Sequence, residues 1–164
     1  MESRAKLLGH PVHPMLIVFP LGLFITSLIF DIIHRFTAGP AWAQASFYMI
    51  GAGIIGGVIA AVFGLIDWAA IPRRTRASKI GLLHGGINVV VILLFAISWW
   101  LRKDTQEAPG TAPVVLSFIA VLFGAVSGWL GGELVNRLGV GVDPGAHLDA
   151  PRSLKQRTID DRAA

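Results

Sequence analysis

The sequence predicts an all-α integral membrane protein, a bundle of four helices that each cross the bilayer. Hydrophobic residues make up 54% of its 164 residues and the mean hydropathy is +0.65, which is too apolar for an ordinary soluble domain of this size. The chain also contains four apolar stretches of about 20 residues, the length that a helix needs to cross a hydrocarbon core about 30 Å thick. Their one full charge is Asp31.

The four predicted spans are joined by short polar connections. They are Met15 to Ile33, Phe47 to Ile66, Ile80 to Leu101 and Ala112 to Leu130. We assign residues 1–142 to one transmembrane domain. Residues 143–164 mix charges with proline and glycine and contain few apolar residues, so we expect a mobile cytoplasmic tail there.

The first span begins like a signal peptide, because Arg4 and Lys6 precede its apolar run. The run is long for a signal peptide and contains Pro20, so we predict that it is retained as a helix. Pro14 predicts that His13 is an N-cap residue just outside this helix.

The other three spans carry small residues at helical spacing, which predicts close helix packing. In the second span such a stripe ends in a carboxylate that we expect to face the bundle interior: Gly53, Gly57, Ala60, Gly64 and Asp67. The third span places His84 and Asn88 on one face with two glycines. The fourth contains Gly128, and we expect a large residue at Gly57 or Gly128 to push helices apart.

The basic residues predict the orientation of the bundle. Eleven of the 14 lysines and arginines lie on the side of the termini, and the opposite side has Arg35, Arg102 and Lys103. By the positive-inside rule, both termini are predicted to be cytoplasmic. Near the opposite surface, Asp31 and His34 are predicted to form a solvated or paired helix end. No aromatic residues interleave with the basic ones, so no nucleic-acid partner is indicated.

The predicted spans place most of the ionisable intramembrane side chains in one layer near the cytoplasmic face. This layer contains His10, His13, Asp67, His84 and Glu133. The chain has no cysteine, which excludes disulfides, iron–sulfur clusters, covalently attached haem and thiol catalysis within it.

Three interpretations of this layer are open. In the first, haem b is bound by His13 and His84 as axial ligands, with Asp67 or Asn88 orienting a ligand ring from its other nitrogen. In the second, zinc or iron is bound without haem, and Glu133 acts as a base for a bound water. That metal set is His10, His13, Asp67, His84 and Glu133. In the third, no cofactor is bound, and Asp67 and His84 tie two helices together.

A short internal likeness indicates duplication. Residues 60–64 (Ala-Ala-Val-Phe-Gly) in the second span resemble residues 120–124 (Ala-Val-Leu-Phe-Gly) in the fourth, and each pair of spans begins near a histidine. A parallel repeat would give a pseudo-twofold bundle with matched ligands from the first and third spans.

Several motifs in this chain resemble a known family. They are Gly-His-Pro-Val-His-Pro-Met at 9–15, Phe-Pro-Leu-Gly at 19–22, Gly-Leu-Ile-Asp at 64–67, His84 with Asn88, and Ser-Gly-Trp-Leu-Gly-Gly-Glu-Leu-Val at 127–135, leading to Gly-Val-Gly-Val at 139–142. Over residues 9–142 the chain is similar to the bacterial four-span family termed domain of unknown function 2231. The resemblance implies a bacterial cytoplasmic membrane protein, and because relatives can be joined to Rieske or cytochrome c modules, it suggests electron transfer. Val18 and Leu138 stand where related sequences often have histidine.

The sequence as a whole favours a multi-pass protein that is an accessory or electron-transfer subunit, with haem b or a metal in the layer. A structural subunit without a cofactor and a metal-dependent membrane enzyme are the alternatives, and an enzyme is the less favoured. Its expected partners are the lipid bilayer, other membrane subunits or further copies of itself, and a redox partner protein.

Overall fold

The computed structural model describes residues 1–154, and almost all of their regular secondary structure is helical. Helix α1 covers Val12–Leu16, α2 Val18–Thr37, α3 Pro40–Ala69, α4 Arg76–Leu101 and α5 Thr111–Gly132, and a π-helical turn follows at Glu133–Arg137. Two short strands, β1 (Lys6–Leu7) and β2 (His10–Pro11), pair antiparallel before α1. Residues 155–164 of the predicted tail lie outside the described residues.

Four helical segments are long and apolar enough to cross a membrane, which confirms the predicted fold class. They are Val12–Thr37, Pro40–Ala69, Arg76–Leu101 and Thr111–Arg137. Each extends beyond the apolar stretch predicted from the sequence, because helical hydrogen bonding continues into more polar flanking residues. Large apolar side chains are exposed along these helices, as expected for surfaces that a bilayer covers.

The N-cap residues of α4 and α1 show how two of the helices begin. The side chain of Thr75 caps α4 by accepting a hydrogen bond of 3.1 Å from the Ser78 amide. The prediction that His13 lies outside the first helix is wrong, because Pro11 is the N-cap and His13 lies in α1. Pro14 is tolerated there since its missing amide hydrogen falls in the first turn, where no helical partner is needed.

The bundle consists of two helical hairpins. Helix α2 packs along α3 and α4 along α5, and the hairpins are joined chiefly through α3 and α4, while α2 and α5 meet less closely. The core lies where all four helices meet, and its buried members are Phe24, Ile50, Val91, Phe95 and Ala120. We call the end of the bundle that carries β1, β2 and the α3–α4 loop its base.

The hairpins are related by a pseudo-twofold arrangement. Side chains of the first meet those 71 positions later in the second, in three pairs: His13 with His84, Phe24 with Phe95, and Asp31 with Arg102. The two phenyl rings stack with centroids 3.9 Å apart. The duplication inferred from sequence therefore has a structural counterpart, along an axis that these three pairs mark.

The register inferred for the repeat is wrong for α3 and α5. The carbonyl of Ala60 contacts His13, and that of Ser127 contacts His84, so Ala60 corresponds to Ser127 and not to Ala120. The match between residues 60–64 and 120–124 gives the wrong register because small and apolar residues recur throughout membrane helices.

Asp31 and Arg102 form a buried ion pair at the top of the bundle, opposite the base. Two hydrogen bonds of 2.8 and 3.0 Å join the guanidinium to the carboxylate, and both side chains have no exposed surface. Ser46 and Ser98 accept further hydrogen bonds from Arg102 at 3.2 and 3.0 Å. Of the two expectations for this end, solvated or paired, the solvated one is wrong and Asp31 is paired, but with Arg102. His34 lies 3.0 Å from the Gly39 carbonyl.

Only some glycines of the predicted stripes lie at close helix contacts. A Cβ added at Gly53 would lie 2.6 Å from the Phe24 ring, and one at Gly57 would lie 3.3 Å from Ile92. At Gly128 no atom lies within 4 Å of an added Cβ, so the expectation of close packing there is wrong.

Gly53→Leu is therefore expected to lower the melting temperature of the protein in detergent. The added side chain displaces Phe24 from its stack on Phe95, and overpacking of this kind costs about 1–3 kcal/mol or more. Gly128→Leu, made in the same host and measured without added cofactor, is the control. Equal melting temperatures for the two variants would contradict this packing.

Candidate functional site

His13 is held against the backbone of α3. Its Nδ1 lies 2.8 Å from the carbonyl oxygen of Ala60. A carbonyl can only accept, so Nδ1 carries the proton and Nε2 keeps its lone pair. Gly64, one turn further along α3, makes room for the ring, since a Cβ there would lie 2.8 Å from Cε1 of His13.

His84 is built into the second hairpin in the same way. Its Nδ1 lies 2.9 Å from the Ser127 carbonyl oxygen, and a Cβ added at Gly131 would lie 3.3 Å from its Cε1. The Asn88 amide donates to Nε2 of His84 at 3.1 Å, which requires the same tautomer as in His13. The residue equivalent to Asn88 in the first hairpin is Ile17, so only His84 has this extra partner.

The two imidazole rings lie beside each other on the pseudo-twofold axis. Their centroids are 6.4 Å apart and their planes are nearly perpendicular, at 88°. Two imidazoles on opposite sides of one metal ion, each bound through nitrogen at about 2.0–2.1 Å, have ring centroids roughly 6 Å apart. The spacing thus suits a single ion with one imidazole on either side.

An apolar cavity of about 220 Å³ adjoins the rings, on the side where α2 and α5 pack less closely. Residues from all four long helices line it, among them Pro20, Gly57, Ala61, Ala120, Gly124 and Gly128. No atom lies within 4 Å of a Cβ added at Gly124 or Gly128, so the small residues of α5 leave this space open. Polar side chains reach the cavity from His13, His84, Asn88 and Ser127.

Asp67 does not contact either histidine ring, in contrast to the pairing with His84 that the sequence suggested. Its carboxylate accepts hydrogen bonds of 2.7 and 2.8 Å from the Ser3 hydroxyl, and of 2.8 and 3.2 Å from the amides of Arg4 and Ala5. Asp67 therefore fixes the N-terminal segment across the base of the bundle.

The remaining predicted metal ligands are also apart from one another. Glu133 pairs with Arg76 at 2.6 Å, and His10 lies in the exposed strand β2, where its ring contacts Ser153 at 3.2 Å. Within residues 1–154 no three or more metal-ligating side chains come together as a possible ion site. The five-residue set predicted for a non-haem metal is thus not assembled as one cluster.

Sequence reasoning missed the residues that position the histidines. The acceptors are backbone carbonyls of Ala60 and Ser127, which no residue type reveals. The glycines Gly64 and Gly131 do leave a signal, because each lies four residues after its acceptor and both belong to small-residue stripes.

Comparison with known proteins identifies a family but no individual relative. A family model described as "Predicted membrane protein (DUF2231)" matches residues 9–144, a range that includes both histidines, Asn88 and all four long helices. No curated protein and no solved structure matches the chain.

Proposed function

The chain belongs to the DUF2231 family of predicted membrane proteins, and we propose that it binds one haem b between His13 and His84 as an electron-transfer or accessory subunit of a membrane complex. The observation that carries this proposal is the 6.4 Å spacing of the two imidazole rings at an apolar cavity. Haem needs only two protein ligands, because the porphyrin supplies the other four nitrogens.

The chemistry of the donor set favours haem over a bare metal ion. A structural zinc site takes four protein ligands, and a catalytic one takes three. The cavity offers two imidazoles with no carboxylate, and its apolar walls suit a porphyrin. Since ligand pockets usually measure roughly 300–1,000 Å³, this cavity of about 220 Å³ would have to widen between α2 and α5 to hold haem. These features disfavour a zinc or iron site without haem, and with it a membrane enzyme built on such a site.

Each neighbouring group has a role in this proposal. The carbonyls of Ala60 and Ser127 hold the Nδ1 protons, so that Nε2 of each ring keeps the lone pair that would bind the iron. The Asn88 amide would give up its hydrogen bond to Nε2 of His84 when that nitrogen binds the haem iron. Bound haem would supply reversible one-electron transfer at the iron. A redox partner protein, further membrane subunits and a bacterial cytoplasmic location complete the proposal.

A second candidate is a structural subunit without a cofactor. The observation in its favour is that both ring nitrogens of His84 already have hydrogen-bond partners, Ser127 and Asn88. In that case the histidines tie α1 to α3 and α4 to α5. Such ties contribute about 0.6 kcal/mol each within membranes.

A haem titration separates the two candidates. Protein purified without haem is titrated with hemin in detergent, and the Soret band is followed to saturation. We expect one haem per chain for the wild type and an affinity about 10-fold lower or worse for Gly128→Leu, because a leucine there fills the cavity at a cost of about 1–3 kcal/mol.

The control for this titration is Gly22→Leu. Gly22 also has no atom within 4 Å of an added Cβ, but it does not line the cavity. This variant is expected to bind haem like the wild type. Equal affinities for Gly128→Leu and Gly22→Leu would show that haem does not occupy the cavity.

A further inference from the structure

A second hollow lies on the outer surface of α4 and α5, away from the histidines. It is a groove of about 480 Å³ lined by Leu82, Leu83, Gly86, Ile87, Val90 and Phe123, with Lys79 at the end nearest the base. We propose that this groove binds one anionic phospholipid, with an acyl chain lying over Gly86 and the phosphate held by Lys79.

The groove owes its shape to a glycine. No atom lies within 4 Å of a Cβ added at Gly86, so the surface of α4 is hollow at that position. The residues 71 positions earlier, which are equivalent to Gly86 and Val90 in the first hairpin, are the larger Met15 and Phe19. The first hairpin thus carries larger side chains at the two positions that correspond to Gly86 and Val90.

Lys79 supplies the charge that selects an anionic headgroup. It is exposed in the first turn of α4, and within residues 1–154 no carboxylate lies within ion-pair distance of its ammonium. Arg73 and Arg74 lie in the adjoining loop, while the nearby Arg76 is paired with Glu133. A phosphate here would also benefit from the positive end of the α4 dipole.

The distance from the charge to the hollow suits a lipid that stands upright in the bilayer. Seven residues separate Lys79 from Gly86, which corresponds to roughly 10 Å along a helix. A headgroup at Lys79 therefore places the upper part of its acyl chain at Gly86. Leucine and phenylalanine side chains on both walls of the groove match the chain's apolar surface.

Lipid retention tests this proposal. The protein is equilibrated in detergent with equal amounts of dioleoyl phosphatidylglycerol and dioleoyl phosphatidylcholine, washed, and analysed by native mass spectrometry. We expect one phosphatidylglycerol per chain and little phosphatidylcholine. Lys79→Gln should lower the retained phosphatidylglycerol roughly fivefold, and Gly86→Leu, which fills the groove, should abolish retention.

Two variants serve as matched controls. Lys103→Gln changes a lysine at the other end of the bundle, and Gly22→Leu adds the same side chain at another open glycine. Both are expected to retain the lipid. Equal retention of the two lipids, or full retention by Gly86→Leu of unchanged melting temperature, would overturn the proposal. It would equally be overturned if Gly86→Leu converted a dimer into a monomer, since the groove would then hold a second copy of the chain.

Discussion

Replacing either His13 or His84 by alanine is expected to leave the purified protein almost free of haem. Each imidazole would supply one of the two protein ligands of the proposed haem, and within residues 1–154 no third metal-ligating side chain joins them as a possible ion site. Loss of groups that only support metal ligands costs about 10- to 100-fold in affinity, so loss of a ligand itself should cost at least about 100-fold. The measurement is haem per chain after expression with abundant haem, with folding checked by gel filtration.

Three further variants make this result specific. His34→Ala removes a histidine whose Nδ1 also contacts a backbone carbonyl, that of Gly39, but at the top of the bundle. His10→Ala removes one in the exposed strand β2, and Asp67→Asn alters the carboxylate that holds the N-terminal segment. All three should keep the wild-type haem content. Folded His13→Ala and His84→Ala proteins with full haem would show that these residues are not the ligands.

Arg102→Leu is expected to destabilise the protein by about 3–5 kcal/mol, the usual cost of removing one partner from a buried ion pair. In this variant the Asp31 carboxylate, which has no exposed surface, loses its guanidinium partner. It also removes the donor to Ser46 and Ser98. The expected observation is a large fall in melting temperature in detergent.

The double variant Asp31→Leu/Arg102→Leu isolates the cause. Replacing both members of a buried pair by apolar residues is often neutral or stabilising, so the double variant should regain most of the lost stability. Lys103→Leu, at the exposed neighbouring position, should change little. If Arg102→Leu melted like the wild type, or if the double variant were no more stable than the single one, the buried pair would not govern stability at the top of the bundle.

The sequence is sufficient for the fold class, and it predicts that the two central histidines lie at one depth. Long apolar segments predict membrane helices strongly, because water is absent from the bilayer core and the backbone must satisfy its own hydrogen bonds. The distances of His13 and His84 from the ends of their spans predict a common depth, and in the structure the centroids of their rings lie 6.4 Å apart.

The remaining site depends on contacts between distant parts of the chain. Asp67 lies on the predicted stripe of α3, but the amides of Arg4 and Ala5 reach it from an N-terminal segment that has no helical period. Arg102 directly follows the third apolar stretch, so the sequence predicts that it lies in a loop. Only the packed bundle reveals that it lies opposite Asp31 on the pseudo-twofold axis.

The shortest test of haem binding is an absorbance spectrum of the purified wild-type protein, oxidised and then reduced with dithionite. We predict a Soret band in both states and sharp α and β bands on reduction, which are typical of low-spin iron with two nitrogen axial ligands. The haem content should be one per chain. A colourless protein after expression with abundant haem, which also fails to take up added hemin, would contradict haem binding and leave the paired histidines as ties between helices.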